Sequence, residues 1–135
     1  PILYMQHDGD AGGRMEPGSP GWQIHPTVAP QVGEPILRKR ASDSFYHTPL
    51  QAELEARDIQ HLVITGCHTE MCIDPTCRAA ISRDYDVTLV MDAHSTIGDE
   101  VLSAQQIVAH HNTNLDDFGT DEHVITSKPT SEVHF

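Results

Sequence analysis

Apolar positions cluster in five short runs along the chain. Residues 1–6 (PILYMQ) are apolar almost throughout, as in a strand covered on both faces of a parallel sheet. Residues 35–39 form a second short strand of this kind. The runs 61–67 (HLVITGC) and 86–93 (DVTLVMDA) are β-branched and apolar and predict two more. A last short strand is predicted over 124–126. Between these runs the period lengthens. Leu50, Leu54 and Ile59 space out as on a helix over 51–58, with Thr48 as its N-cap and Pro49 at the first helical position. Further helices are predicted over about 71–83 and about 100–111. In the second of these, Val101, Ala104, Ile107 and Val108 share one face. Strands alternating with helices imply an α/β fold with a mainly parallel sheet. The 135 residues read as a single domain, 1–135, long enough to bury a core.

Residues 8–34 break the pattern. They are rich in Gly and Pro, yet they hold Trp22, Ile24 and His25, which are out of place in a plain linker. A loop of this length is expected to fold over a site. The chain also begins at Pro1, directly on an apolar run, and the expectation is that something precedes it.

Charge narrows the partners. There are 20 acidic against 8 basic residues, a net charge of −12 with His neutral. A nucleic-acid surface needs clustered Lys and Arg, and an anionic membrane would repel this chain. No apolar run is long enough to span a bilayer, and no charged-then-apolar leader is visible, so a cytoplasmic location is expected.

Cys67, Cys72 and Cys77 follow the spacing C-x4-C-x4-C. The odd count disfavours a disulfide framework, and the spacing fits neither zinc pairs nor a C-x-x-C redox centre. Cys67 and Cys77 are read as buried packing thiols. Cys72 differs, because it falls where the strand 61–67 gives way to a helix. Sites in α/β folds lie just beyond the carboxyl ends of strands, and a helix N-terminus favours thiolate. Thr69 is placed to cap that helix. Pro75 argues that the regular helix starts only near Asp74, with Pro75 in its first position.

The stretch Val63-Ile-Thr-Gly-Cys-His-Thr-Glu-Met-Cys72-Ile-Asp-Pro-Thr76-Cys-Arg78-Ala-Ala80, followed by Tyr85-Asp-Val-Thr-Leu-Val-Met-Asp92-Ala93, closely resembles the isochorismatase-like cysteine hydrolases. Upstream, Ile36-Leu-Arg-Lys39, Ser44-Phe45 and Thr48-x-Leu50 resemble that family's lysine strand and the turn after it. The loop around Pro17–Pro26 resembles the branch that includes streptothricin hydrolase-like enzymes. The resemblance covers essentially the whole chain and implies a three-layer, Rossmann-like sheet flanked by helices.

It also implies roles. Cys72 matches the nucleophile that attacks an amide carbonyl, and Lys39 the lysine that favours its thiolate. His68 and Cys72 match the positions whose backbone N–H groups form an oxyanion hole, with a cis peptide at Cys67–His68. His7, Trp22 and Phe45 are expected to line the substrate pocket. Residues after His7 lack the Asp-x-His element with a spaced His that binds metal in nicotinamidases, so neither metal nor cofactor is expected. His110 and His111 read as packing or surface, and Arg38 and Arg40 as surface charge. True isochorismatases lack a cysteine at the position of Cys72, so their vinyl-ether reaction is not expected. The implied function is hydrolysis of a small-molecule C–N bond by a homo-oligomeric enzyme. The alternative is a catalytically silent member that binds a small molecule or partner chain.

One family feature has no match. The general-base aspartate belongs to the family's first strand, which lies between the strands matching 1–7 and 61–67. Residues 1–7 match the second strand. The expectation is that the first strand and helix, roughly 30 residues, lie upstream. Asp8 and Asp10 are loop residues and are not assigned that role.

Overall fold

The computed structural model describes residues 1–134. Its order is β1 (Tyr4–His7), β2 (Ile36–Lys39), α1 (Leu50–Glu55), β3 (His61–Cys67), α2 (Asp74–Ile81), β4 (Asp86–Ser95), α3 (Ala104–Leu115) and β5 (Ile125–Lys128). Single turns of 3-10 helix lie at Pro26–Val28 and Thr130–Glu132, and a π-turn at Thr69–Ile73. All five strands pair in parallel, as the alternation of strand and helix requires.

The strands form two sheets, one of β1 and β2 and one in the order β3-β4-β5. β1 starts at Tyr4, where Pro35 O accepts the first cross-strand N–H (2.9 Å), rather than at Pro1. Ile2 is 56% exposed, so the apolar run expected to be buried from its first residue is not. β1 and β3 share no ladder. Among the described residues β3 has only β4 beside it, and His61, Val63, Thr65, Gly66 and Cys67 are exposed along it.

The core forms where α2 and the inner residues of β4 and β5 meet. Val87, Leu89, Leu115, Ile125, Cys77 and Ala80 are almost fully buried, and Phe45, Leu50, Leu54 and Ile81 join them. Burying an aliphatic side chain of this size contributes about 1.5–3 kcal/mol. β4 continues past its buried stretch with a register jump: Ile64 pairs with Leu89, but Gly66 pairs with His94. The extra residues of β4 bulge outward. Gly66 supplies the matching bend with φ at +125°, a conformation that side-chain-bearing residues rarely adopt.

Two helix starts differ from expectation. Thr48 lies one position outside α1, whose cap position is Pro49, although the Thr48 hydroxyl still accepts the Leu50 N–H (3.2 Å). α3 begins at Ala104 instead of near residue 100. Before it, Asp99 Oδ1 accepts the N–H groups of Val101 and Leu102 (2.7 Å each), holding the chain in a turn. Val101, expected on the buried face, is 85% exposed. Among the described residues no helix is long and apolar enough to cross a membrane.

Candidate active site

The end of β3 leads through the cis peptide Cys67–His68 into the π-turn that carries Cys72. The turn closes on itself. His68 O accepts the N–H groups of Met71 (3.2 Å), Cys72 (2.9 Å) and Ile73 (3.2 Å), and Thr69 O accepts that of Asp74. α2 then begins at Asp74 with Pro75 in its first turn, where its missing N–H costs nothing. The oxyanion pair expected of His68 and Cys72 is therefore only half available: the Cys72 N–H is committed to His68 O, while the His68 N–H has no acceptor among the described residues.

Thr69 does not cap the turn. It is fully buried, and its hydroxyl lies 2.8 Å from Nδ1 of His94. Glu70 Oε1 accepts from Thr96 Oγ1 (2.8 Å), and Oε2 of the same carboxylate is buried without a partner. None of these hydrogen bonds involves the Cys72 thiol, which is half-buried and free. Cys77 is buried as expected and desolvation pushes its thiol up to about 12. Cys67 departs from expectation: it lies on the open strand β3 and is exposed.

Lys39 ends β2 with its side chain buried, because the β pleat turns Leu37 and Lys39 inward and Ile36 and Arg38 outward. Its ammonium donates to Ser42 O (2.6 Å). The connector beyond it is clamped to α2: Thr76 Oγ1 accepts the Ser44 N–H (3.1 Å) and donates to Ser44 Oγ (3.0 Å). This buried pair ties the segment after Lys39 to the helix after Cys72.

A cleft of about 280 Å³ opens beyond β1 and β2, lined by Asp8, Arg38, Lys39, Arg40, Ala41, Tyr46 and His47. Asp8 is its hub, accepting from Arg38 Nε (2.6 Å) and from the Trp22 indole (3.0 Å). The Arg38 bond, above all, holds the Asp8 carboxyl below its usual range. The Arg38 guanidinium also lies over the Trp22 ring, 4.4 Å from its centroid.

The pocket residues expected from sequence divide. Lys39 lines the cleft, while Cys72, His7, Trp22 and Phe45 do not. Phe45 is turned into the core, stacked 5.9 Å from Tyr85 with Arg83 over its ring. Trp22 stands behind Asp8 and Arg38, its carbonyl tied to Gln6 Nε2 (2.9 Å), so loop 8–34 does fold back on the end of the small sheet. His7 ends β1 with its Nδ1 buried and unpaired. Tyr46, unassigned from sequence, and Arg38 and Arg40, expected as surface charge, line this cleft. No group of three or more His, Cys, Asp or Glu side chains is placed to hold a metal among the described residues.

Comparison with known proteins agrees with this architecture. The chain is 37% identical over 95 residues to streptothricin hydrolase from Streptomyces noursei, covering 70% of this chain and 38% of that protein. It superposes on an isochorismatase from Pseudomonas putida with a TM-score of 0.87 and 27% identity, over 99% of this chain and 69% of that one. Against a cysteine hydrolase from Pseudomonas syringae pv. phaseolicola the TM-score is 0.80 at 25% identity, over 97% and 68%. The chain spans only 34–63% of the length of the curated relatives it matches. The isochorismatase domain family matches residues 1–117, and the chain belongs to that family.

Proposed function

We propose that the protein hydrolyses a C–N bond of a small molecule, an amide, carbamoyl group or lactam, with Cys72 as nucleophile. The observation that carries this is a free, half-buried thiol on a tightly closed turn between β3 and α2, where α/β folds place their chemistry. The 37% identity with streptothricin hydrolase supports a hydrolytic reaction. The Cys72 sulfur attacks the carbonyl carbon, the C–N bond breaks, and the amine leaves with the thiol proton. Water then cleaves the thioester, releasing the acid and restoring the thiol. Lys39 is the lysine of the reaction by its match to the family's lysine strand, and the His68 N–H is the free backbone donor for the developing oxyanion. Specificity falls to loop 8–34.

A second reading is that the chain binds such a molecule without turnover. It is favoured by the hydrogen bonding of the turn, none of which gives the Cys72 thiol a base. One experiment separates the two. The protein and its Cys72→Ser and Lys39→Ala variants are assayed on a panel of carboxamides, N-carbamoyl compounds and lactams, and acid-quenched samples are weighed for an acyl adduct. Hydrolysis with an adduct on Cys72, and loss of at least about a thousandfold in Cys72→Ser, supports the enzyme. Near-normal turnover in Cys72→Ser puts the nucleophile elsewhere. Binding without turnover or adduct supports the silent reading.

A further inference from the structure

The π-turn that holds Cys72 is anchored from the far side by groups that take no part in the chemistry above. Thr69 opens the turn and is fully buried. Its Oγ1 lies 2.8 Å from His94 Nδ1, and His94 Nε2 lies 2.7 Å from Asn112 Oδ1. His94 stands at the end of β4 and is buried, and Asn112 projects from α3. Three elements thus meet in one line of hydrogen bonds.

The proton positions along that line follow from its outer end. Asn112 Nδ2 donates to Met91 O (3.1 Å), which turns Oδ1 toward the imidazole. A carbonyl oxygen only accepts, so His94 Nε2 carries the hydrogen. In the neutral ring Nδ1 is then the acceptor, and the Thr69 hydroxyl donates to it. Every member is satisfied in this arrangement, and fully satisfied buried networks fix one geometry. The hydroxyl is thereby withheld from the turn's own N–H groups, which converge on His68 O instead. The register jump of β4 is what brings His94 opposite Gly66 and under the turn.

We infer that Asn112, His94 and Thr69 are positioning residues for Cys72: they fix the orientation of the turn and hence the reactivity of its thiol. This rests on Cys72 being the nucleophile, but it is tested without any substrate. The readout is the rate of iodoacetamide alkylation at each cysteine of the intact chain, mapped by mass spectrometry. Exposed Cys67 reports intrinsic reagent reactivity, and buried Cys77 reports opening of the fold. The quantity measured is the Cys72-to-Cys67 rate ratio. Thr69→Val keeps the shape and removes the hydroxyl, and is expected to lower the ratio about fivefold, the equivalent of one lost neutral hydrogen bond. Thr69→Ser is expected to restore it to within about twofold of the parent. Asn112→Ala, on a half-buried helix face, is expected to lower it in the same direction while Cys77 stays protected. That variant decides the matter if Thr69→Val does not fold. An unchanged ratio in either variant overturns the inference. So does a rise of all three thiols together, which marks a merely structural role. If Cys72 in the parent protein reacts no faster than Cys67, the nucleophile assignment fails, while the effect of the variants on the ratio still decides the positioning role.

Discussion

Cys77 lies one turn beyond Cys72, yet its thiol occupies a different medium. It is fully buried in the same core cluster as Leu89 and Ile81, and desolvation raises its pKa from 9.0 to about 12. The native state therefore keeps a proton that the unfolded chain releases. That contribution is fully present below pH 9.0 and is lost as the pH rises through about 12. At pH 10.5 about 2 kcal/mol of it is gone. Urea unfolding from pH 8 to 10.5 should show a steeper loss of stability in the native chain than in Cys77→Ala. The raised Tyr85 titrates in both and cancels. Parallel slopes would mean that water reaches the thiol. At this scale the sequence named the right types more readily than the right surroundings. Lys39 is expected at the end of a short strand and Cys72 at a strand–helix junction, and both elements are observed there. Sequence alone puts Phe45 in the pocket, but at the turn after β2 its neighbour Tyr46 faces the cleft and Phe45 faces Tyr85. The identity of an aromatic residue does not say which way it points off a turn. Thr69 looks like a helix cap in its local sequence, because its partner, His94, is distant and no local pattern signals it.

Elements were legible where the apolar period is long and uninterrupted. β3 runs His61–Cys67 as its β-branched run predicts, and the π-turn gives way to α2 at Asp74, where Pro75 indicates. α3 starts later than its apolar period predicts: Val101 fits the helical period, but the local hydrogen bonds of Asp99 outweigh periodicity. What starts α3 is a capping box: the Gln106 N–H donates to Ser103 Oγ (3.3 Å), and the Ser103 N–H donates to Gln106 Oε1 (2.9 Å). Two of the four orphan donors of the first turn are thus satisfied. Ser103→Ala should cost about 0.5–2 kcal/mol in denaturant unfolding, and Ser103→Asp should recover most of it. α3 also carries Asn112, so fraying of its first turn should leave the Cys72 turn intact while lowering the unfolding midpoint. An unshifted midpoint in Ser103→Ala would show that the box adds nothing to the packing of Ile107 and Leu115.

On the scale of the whole molecule, the parallel α/β order was readable because each apolar run is followed by a helical one. The division into two sheets was not readable from periodicity, because a run of apolar residues does not record whether a strand has one neighbour or two. β4 is paired on both sides over Val87–Leu89, by β3 and by β5. β3 is paired on one side only, among the described residues, and it exposes Val63 while Leu62 and Ile64 are half-buried. Successive N–H groups of a parallel strand point to opposite neighbours, so alternate amides of β3 face away from β4 with nothing to bond. Amides held by the global fold exchange only through its unfolding, and at about 5 kcal/mol of stability that slows them at least about a thousandfold. Hydrogen exchange followed residue by residue should therefore find the amides of Val87–Leu89 uniformly slow and those of His61–Cys67 alternately slow and fast. An apolar, unblunted edge of this kind is also a template for pairing with another chain. Repeating the exchange over a range of protein concentrations tests that consequence directly. If the fast set in β3 becomes slow as concentration rises, copies of the chain pair through this edge. If β3 is uniformly slow even at high dilution, the edge is covered within a single chain and the two-sheet arrangement is wrong.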